Sequence, residues 1–93
     1  MALSFEWDQG KAAANLRKHG VSFQEASTAF ADPISITIED PDHSTAEQRY
    51  LLIGASVGGQ LLVVSHTERG DTIRIISARA AARAERKIYE EEG

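Results

Sequence analysis

The stretch LLVVSHTERGDTIRIIS, residues 61–77, decides the fold. Its two ends are rich in β-branched and aliphatic residues, which favour strands. Between them Arg69-Gly70 marks a turn, because glycine accepts the positive φ that tight turns require. The pattern predicts two strands, over residues 60–68 and 72–77, that pair as a hairpin.

Three further strands are indicated upstream of this hairpin. Residues 50–57 form one, joined to the next strand by Gly58-Gly59, a dipeptide suited to a tight turn with positive φ. In another, Ile34, Ile36 and Ile38 alternate with polar residues, which is typical of a half-buried strand. Residues 4–7 are predicted to form a short edge strand. We therefore expect at least four antiparallel strands.

A two-residue loop at each turn would fix which side chains share a face of the sheet. The expected core face carries Leu51, Ile53, Ala55, Leu62, Val64, His66, Ile73 and Ile75. The opposite face, predicted to be partly open, carries Tyr50, Leu52, Gly54, Ser56, Leu61, Val63, Ser65, Thr67, Arg74 and Ile76.

Helix signals precede and follow the strands. Asp8 is placed to cap a helix that runs to about His19 and ends at Gly20. Residues 22–25, Ser-Phe-Gln-Glu, have the spacing of a capping box and begin a second helix, which Asp32-Pro33 stops. The predicted fold class is α+β: a small antiparallel sheet of four to five strands, with these two helices and a C-terminal helix packed on one side.

The amino-acid composition excludes several classes of protein. With 93 residues, of which 42% are hydrophobic and 26% charged, the chain is expected to form one domain, residues 1–93. It contains no cysteine, which excludes disulfides and thiolate metal sites. The N-terminus does not resemble a signal peptide, and no apolar run is long enough for a membrane span. We expect a cytoplasmic protein without membrane contact.

Charge is distributed unevenly, although the net charge is only −4. Residues 32–48 carry five acidic residues and no lysine or arginine, whereas residues 49–89 carry seven basic and three acidic residues. Binding of a nucleic acid depends on such a local basic surface more than on net charge. The second half of the chain therefore provides the candidate surface.

Arginines are concentrated at the end of the chain. Alanine-rich sequence from Arg79 onwards predicts a helix, on which Arg79, Arg83 and Arg86 would lie within an arc of about 60°. Guanidinium groups suit phosphate because their donor fork matches its oxygens. The alternative is a solvated helix face whose arginines pair partly with Glu85 and Glu90.

Three segments carry a family resemblance. FEWDQGKAAANLRKHGVSFQEA (residues 5–26), FADP (30–33) and LLVVSHTERGDTIRIISARAAARAERKIYE (61–90) resemble the BrnT toxin family of bacterial type II toxin-antitoxin systems. The resemblance implies a RelE-like fold and cleavage of RNA without a metal ion. It also implies a small ribbon-helix-helix antitoxin, BrnA, that neutralises the toxin and binds the operon DNA.

Site residues follow from the same motifs. The S-A-R-x-x-x-R segment of the family aligns with Arg79 and Arg83, its following acid with Glu85 and its near-terminal tyrosine with Tyr89. Metal-free cleavage needs charge stabilisation, assigned to Arg79 and Arg83, and proton transfer. The candidates for proton transfer are His66, Glu47, His19 and Tyr89. The candidate RNA-binding residues are Arg49, Arg69, Arg74, Arg86 and Lys18.

No cofactor or metal is expected. His43 lies between Asp40 and Asp42, but the rest of the sequence does not complete a metal site, so the cluster is interpreted as loop chemistry. A rival to the ribonuclease is a catalytically weak homologue that only binds the antitoxin. Direct DNA binding is disfavoured because the second helix has no lysine or arginine, so DNA contact is expected only through the antitoxin.

Overall fold

A five-stranded sheet forms the centre of the computed structural model, which describes residues 3–40 and 47–92. The strands are β1 (Ser4–Glu6), β2 (Ile36–Glu39), β3 (Tyr50–Ala55), β4 (Leu61–Arg69) and β5 (Thr72–Ala80), and their order across the sheet is β1-β5-β4-β3-β2. The three pairs from β2 to β5 are antiparallel, whereas β1 pairs in parallel with β5. The predicted α+β class is confirmed.

Three α-helices accompany the sheet: α1 (Gln9–His19), α2 (Phe23–Thr28) and α3 (Arg83–Glu92), with a 3₁₀ turn at Ala29–Ala31. The start signals are as expected. Asp8 accepts a hydrogen bond from the Lys11 N–H at 2.9 Å, and Ser22 accepts one from the Glu25 N–H at 3.0 Å. Gly20 ends α1 with a φ of 72°, which favours glycine. The Glu25 carboxylate accepts a hydrogen bond from the Ser56 hydroxyl at 2.7 Å, which links α2 to the end of β3.

The main core lies between the sheet and the helices α1 and α2. It consists of buried aliphatic and aromatic side chains, namely Val21, Phe23, Ala26, Ala29, Leu52, Leu62, Val64, Ile73, Ile75 and Ala78. Trp7 packs at its rim, with its ring edge-to-face on Phe23 at 5.9 Å between centroids. We call this side of the sheet the helix face.

The opposite side carries Val63, Ser65, Thr67, Arg74 and Arg79, and we call it the arginine face. A second, smaller cluster lies there, formed by Ile53, Leu61 and Val63 under Tyr89 of α3. The expectation that all helices pack on one side is therefore wrong for α3.

The faces predicted for the paired residues of β4 and β5 are correct, but the face predicted for β3 is wrong. Leu52 pairs with Val64 on the helix face, and Ile53 pairs with Val63 on the arginine face. The connecting loop is the reason. The Ser56 N–H bonds to the Gln60 carbonyl at 2.8 Å, so three residues, 57–59, form the loop instead of two. A shift of one residue in register moves every β3 side chain to the other face.

The last strand is longer than predicted, and the last helix is shorter. Arg79 pairs with Val63 and Ala80 with Leu62, so both residues belong to β5, and α3 begins only at Arg83. Pairing with β4 outweighs the helix preference of the alanine-rich sequence, because propensity is a weak term beside tertiary contacts. The predicted stripe of Arg79, Arg83 and Arg86 on a single helix is therefore wrong.

Asn15 covers the outer edge of β5. Its side-chain amide donates to the Ala78 carbonyl at 2.8 Å and to the Val21 carbonyl at 3.0 Å, while its oxygen accepts from the Ala78 N–H at 3.1 Å. A side-chain amide thus replaces a neighbouring strand where β1 has ended. This buried contact joins α1 to the sheet.

None of the helices within residues 3–40 and 47–92 has the length and apolar character needed to cross a lipid bilayer. Asp42 and His43, which the sequence places beside Asp40 in the acidic loop, lie outside the described residues.

Candidate functional site

Two groups of charged side chains lie at opposite ends of the arginine face. The first, the helix corner, is formed by Arg79 of β5 with Arg83, Glu85 and Arg86 of α3. The second, the hairpin cluster, lies beside the β4–β5 turn and consists of Glu6, Glu47, Arg69 and Arg74. Along β5, Arg74 and Arg79 are about 16 Å apart at roughly 3.3 Å per residue.

A bidentate ion pair organises the helix corner. The guanidinium of Arg79 donates to both carboxylate oxygens of Glu85, at 2.7 and 2.6 Å. Glu85 also accepts from the Ala82 N–H at 2.7 Å, which satisfies a backbone donor at the start of α3. The hydrogen bond from Arg79 lowers the pKa of Glu85, although partial burial acts in the opposite direction. Glu85 therefore holds Arg79 against the first turn of α3.

The other two guanidinium groups of the helix corner point into solvent. Arg83 and Arg86 are exposed residues in the first turn of α3, and neither forms an ion pair with any other residue in the described part of the chain. Arg83 lies two positions before Glu85. The corner thus combines one neutralised arginine with two exposed positive charges.

Ion pairs also link the hairpin cluster. Arg69 donates to both oxygens of Glu47 at 2.6 and 3.0 Å, and Arg74 donates to Glu6 at 3.1 Å. The hydrogen bond from Arg69 lowers the pKa of Glu47, and the charges of Arg74 and Arg49 act in the same direction. Three arginines therefore surround Glu47, and the cluster with Arg49 carries one more positive than negative charge.

Hydroxyl groups occupy the sheet surface between these two groups. Ser65 and Ser77 are cross-strand partners, and Thr67 is the partner of Arg74. The Thr67 side-chain oxygen is buried and has no hydrogen-bond partner within residues 3–40 and 47–92. Between the arginines the sheet thus carries the buried side chains of Ser65 and Thr67 and no acidic residue among those described.

His66 lies on the other side of the sheet from the arginines. It is fully buried, with its Nδ1 3.1 Å from the Val64 carbonyl and its Nε2 3.2 Å from Glu68. Its ring packs edge-to-face on Phe30 at 4.8 Å and stacks on Tyr50 at 5.9 Å between centroids. A nucleic acid on the arginine face would not reach this imidazole, so its position favours a structural role.

Tyr89 joins α3 to Asp32, the residue that follows the 3₁₀ turn. Its hydroxyl donates to Asp32 Oδ2 at 2.6 Å, and the same carboxylate accepts from the N–H groups of Ala55 at 2.8 Å and Ile34 at 3.1 Å. Burial acts to raise the pKa of Asp32, but these hydrogen bonds outweigh it and lower the pKa. The bond to Asp32 raises the pKa of Tyr89.

The structure does not bring all the predicted site residues together. It joins Arg79 and Arg83 at the helix corner, and it places Glu47 with Arg69, Arg74 and Arg49 at the other end of the face. His66 lies on the helix face. Lys18 and His19 are exposed at the C-terminal end of α1, on the layer that covers the helix face.

The sequence did not identify two residues that contact the predicted site residues, Glu6 and Asp32. Glu6 reaches Arg74 because β1 and β5 pair in parallel, a contact between residues 68 positions apart for which the sequence carries no local signal. The sequence marks Asp32 only as a helix stop. Its position after a helix and before Pro33 indicates a turn, but its bond to Tyr89 depends on where α3 packs.

A groove of about 470 Å³ includes no residue of either charged group in its lining. Its lining residues are Thr28, Ala31, Asp32, Ala55, Ser56 and Val57. Because none of them is basic, the groove does not provide a phosphate site.

Comparison with known proteins gives a family match and a match to a solved structure. Residues 7–85 match the model of the family described as "ribonuclease toxin, BrnT, of type II toxin-antitoxin system". The crystal structure of the Brucella abortus ribonuclease toxin BrnT has a TM-score of 0.63 to this chain, at 24% sequence identity over 88% of this chain and 100% of that one. At 24% sequence identity, this structural match supports a shared fold and nothing further. No curated protein matches the chain.

Proposed function

The chain belongs to the BrnT family of ribonuclease toxins of type II toxin-antitoxin systems, and we propose on that basis that it is an active, metal-independent endoribonuclease. Its cleavage of cellular RNA arrests growth until an antitoxin neutralises it. The antitoxin is a BrnA-like ribbon-helix-helix protein, and operon DNA is bound through this partner. The site of action is the cytoplasm.

The observation that supports catalysis is that Arg79 is tied through Glu85 to the first turn of α3, which also carries Arg83. Arg79 comes from the end of β5 and Arg83 from the start of α3, so strand and helix geometry fix their separation. Cleavage by the 2′-hydroxyl passes through a phosphorane that carries extra negative charge, which positioned cationic donors stabilise. We assign that role to Arg79 and Arg83.

RNA on either side of the scissile phosphate would follow the arginine face. Arg69, Arg74 and Arg49 lie where they can hold a flanking phosphate. Single-stranded RNA suits such a surface because its backbone can bend to follow a basic track. His66 receives no role in proton transfer, since its ring is enclosed.

A second function has one observation in its favour. Arg69, Arg74 and Arg79 are each neutralised by a carboxylate, namely Glu47, Glu6 and Glu85. RNA must displace these acids before phosphate can take their place. A protein that retains the arginines only as structural ion pairs would bind the antitoxin without cutting RNA.

Incubation of the purified chain with single-stranded RNA in the presence of a chelator separates the two functions. For the ribonuclease, we expect cleavage by the wild type and a loss of about 10²-fold or more in the Arg79→Ala and Arg83→Ala variants, the usual cost of removing a charge-stabilising donor. Arg17→Ala, an exposed change on α1, is the matched control. Intact RNA at excess wild-type protein would contradict the enzyme and favour the binding module.

A further inference from the structure

Strand β2 is the outermost strand of the sheet on the side away from β1. Its sequence is Ile-Thr-Ile-Glu, residues 36–39. Within the described residues no further strand pairs with its outer edge. Natural edge strands usually carry a lysine, a proline, a bulge or a covering segment, which prevents them from pairing with a strand of another chain. β2 contains no lysine or proline, and its register with β3 is regular over all four residues.

The direction of the free backbone groups follows from the ladder. Asp40 donates its N–H to the Arg49 carbonyl at 3.0 Å, which makes these two residues a hydrogen-bonded pair. Hydrogen-bonded and non-hydrogen-bonded pairs alternate along an antiparallel ladder. Ile36 and Ile38 therefore bond to β3, whereas Thr37 and Glu39 direct their N–H and C=O groups outwards.

The side chains along this edge are apolar and acidic. Ile34 and Ile38 are 49% and 40% exposed, which is high for isoleucine in a sheet. Glu39 is exposed, and residues 32–48 include no lysine or arginine. The β2 strand of a second copy of the chain has no lysine or arginine to pair with Glu39. A basic segment would supply one.

We propose that the outer edge of β2 is a docking site for an extended, basic segment of a partner protein, which adds to the sheet as a sixth strand. Its backbone pairs with Thr37 and Glu39. Its lysine or arginine side chains lie on the helix face with Thr37 and Glu39, and its β-branched side chains cover Ile38 on the arginine face. Strand addition of this kind gives affinity through the backbone and selectivity through alternate side chains. The site goes beyond RNA cleavage and does not depend on it.

A pair of substitutions at one position tests the backbone contact. Thr37→Pro removes an outward N–H without removing a bond to β3, as proline on an edge strand does. Thr37→Val keeps that N–H and the strand preference. The probe is an eight-residue peptide that alternates lysine with valine, and a second peptide with glutamate in place of lysine controls for charge.

We expect the lysine peptide to bind the wild type and Thr37→Val with equal affinity, and Thr37→Pro about tenfold or more weakly, because pairing at that position is lost. The glutamate peptide should bind the wild type about tenfold or more weakly than the lysine peptide. Equal binding to Thr37→Pro and wild type, or binding of both peptides alike, would overturn the proposal.

Amide hydrogen exchange gives a second readout that does not depend on the folding of the proline variant. Addition of the lysine peptide to the wild type should slow exchange at Thr37 and Glu39, while Ile36 and Ile38, already bonded to β3, change little. Unchanged exchange at Thr37 and Glu39 under saturating peptide would refute the site. A wild-type dimer that Thr37→Pro abolishes would assign the edge to self-association instead.

Discussion

Arg79 and Glu85 form a bidentate pair in which both guanidinium donors lie within 2.7 Å of a carboxylate oxygen. A carboxylate and a phosphate present similar geometry to this fork. Glu85 therefore occupies the position that we propose for an RNA phosphate, and it lies only six positions away from Arg79. In the proposed function, RNA must compete with this carboxylate for Arg79.

The first prediction concerns this competition. In Glu85→Gln the anion is removed, and RNA affinity should rise by about three- to tenfold, since one competing negative charge close to the site has been lost. Fluorescence anisotropy with labelled RNA at fixed salt measures the change. Glu90→Gln, the same charge change on the exposed side of α3, should have a smaller effect.

Cleavage by the same variant reports whether Glu85 also positions Arg79. If Glu85 is only a competing anion, Glu85→Gln should cleave at least as fast as wild type under subsaturating enzyme. A loss of cleavage as large as that of Arg79→Ala, with RNA binding retained, would contradict the competition. It would show that Arg79 acts only when Glu85 holds it.

A second prediction concerns the hairpin cluster. Arg74→Ala should weaken RNA binding to a similar extent for all sequences and reduce the slope of log affinity against log salt by about 0.7, the value for one lost phosphate contact on a single strand. The slope is measured from binding titrations at several salt concentrations. Arg17→Ala, on α1, is expected to leave the slope unchanged. An unchanged slope in Arg74→Ala would show that Arg74 serves only its ion pair with Glu6.

Local sequence signals predicted most helices and strands of the fold, but not how these pair and pack against one another. The caps at Asp8 and Ser22 are set by side-chain hydrogen bonds within one helical turn, so the sequence around them was sufficient. The face of β3 depends on whether the loop after Ser56 has two or three residues, and Gly58-Gly59 is compatible with either. Local signals were also insufficient for Arg79. Helix propensity placed it on the last helix, whereas its pairing with Val63 places it in β5.

The composition of the candidate site and ion pairing of its arginines with Glu85 could be predicted, whereas the ion pairs with Glu6 and Glu47 could not. Arginines in the last strand and helix were evident as a basic surface. Their neutralisation by Glu6 and Glu47 depends on strand register and on the path of a connecting loop, which no local pattern reports. Asn15 is a further example, since its position on α1 suggests a solvent-facing side chain and gives no sign of its contact with β5.

The third prediction addresses Asn15. Asn15→Leu removes three hydrogen bonds and leaves the buried N–H and C=O of Ala78 without partners. An unsatisfied buried polar group costs about 1–3 kcal/mol, so the free energy of unfolding should fall by about 2–4 kcal/mol. Urea denaturation followed by circular dichroism measures it. Ala13→Leu, a change at an exposed position of the same helix, is the control for added apolar volume on α1. Equal stability of Asn15→Leu and wild type would mean that water satisfies the edge of β5.

The last prediction concerns the bond between Tyr89 and Asp32. Tyr89→Phe removes only the hydroxyl, and the free energy of unfolding should fall by about 1 kcal/mol, at the low end for a bond to a charged group because the pair is partly exposed. Thermal unfolding of both proteins across a range of pH measures the difference. Val57→Ala, a change at an exposed loop residue, is the control.

The pH dependence of that difference follows from the direction of each shift. The pKa of Tyr89 is raised above its usual 10.0, so its contribution is fully present below that pH and is lost as pH rises through the folded value. The pKa of Asp32 is lowered from 3.8, so its contribution is present above 3.8 and is lost as pH falls through the folded value. The gap between wild type and Tyr89→Phe should therefore be constant near neutral pH and close at both extremes. Equal stability of the two proteins at neutral pH would show that Tyr89 stabilises α3 only by packing of its ring on Ile53 and Val63, because phenylalanine keeps that packing.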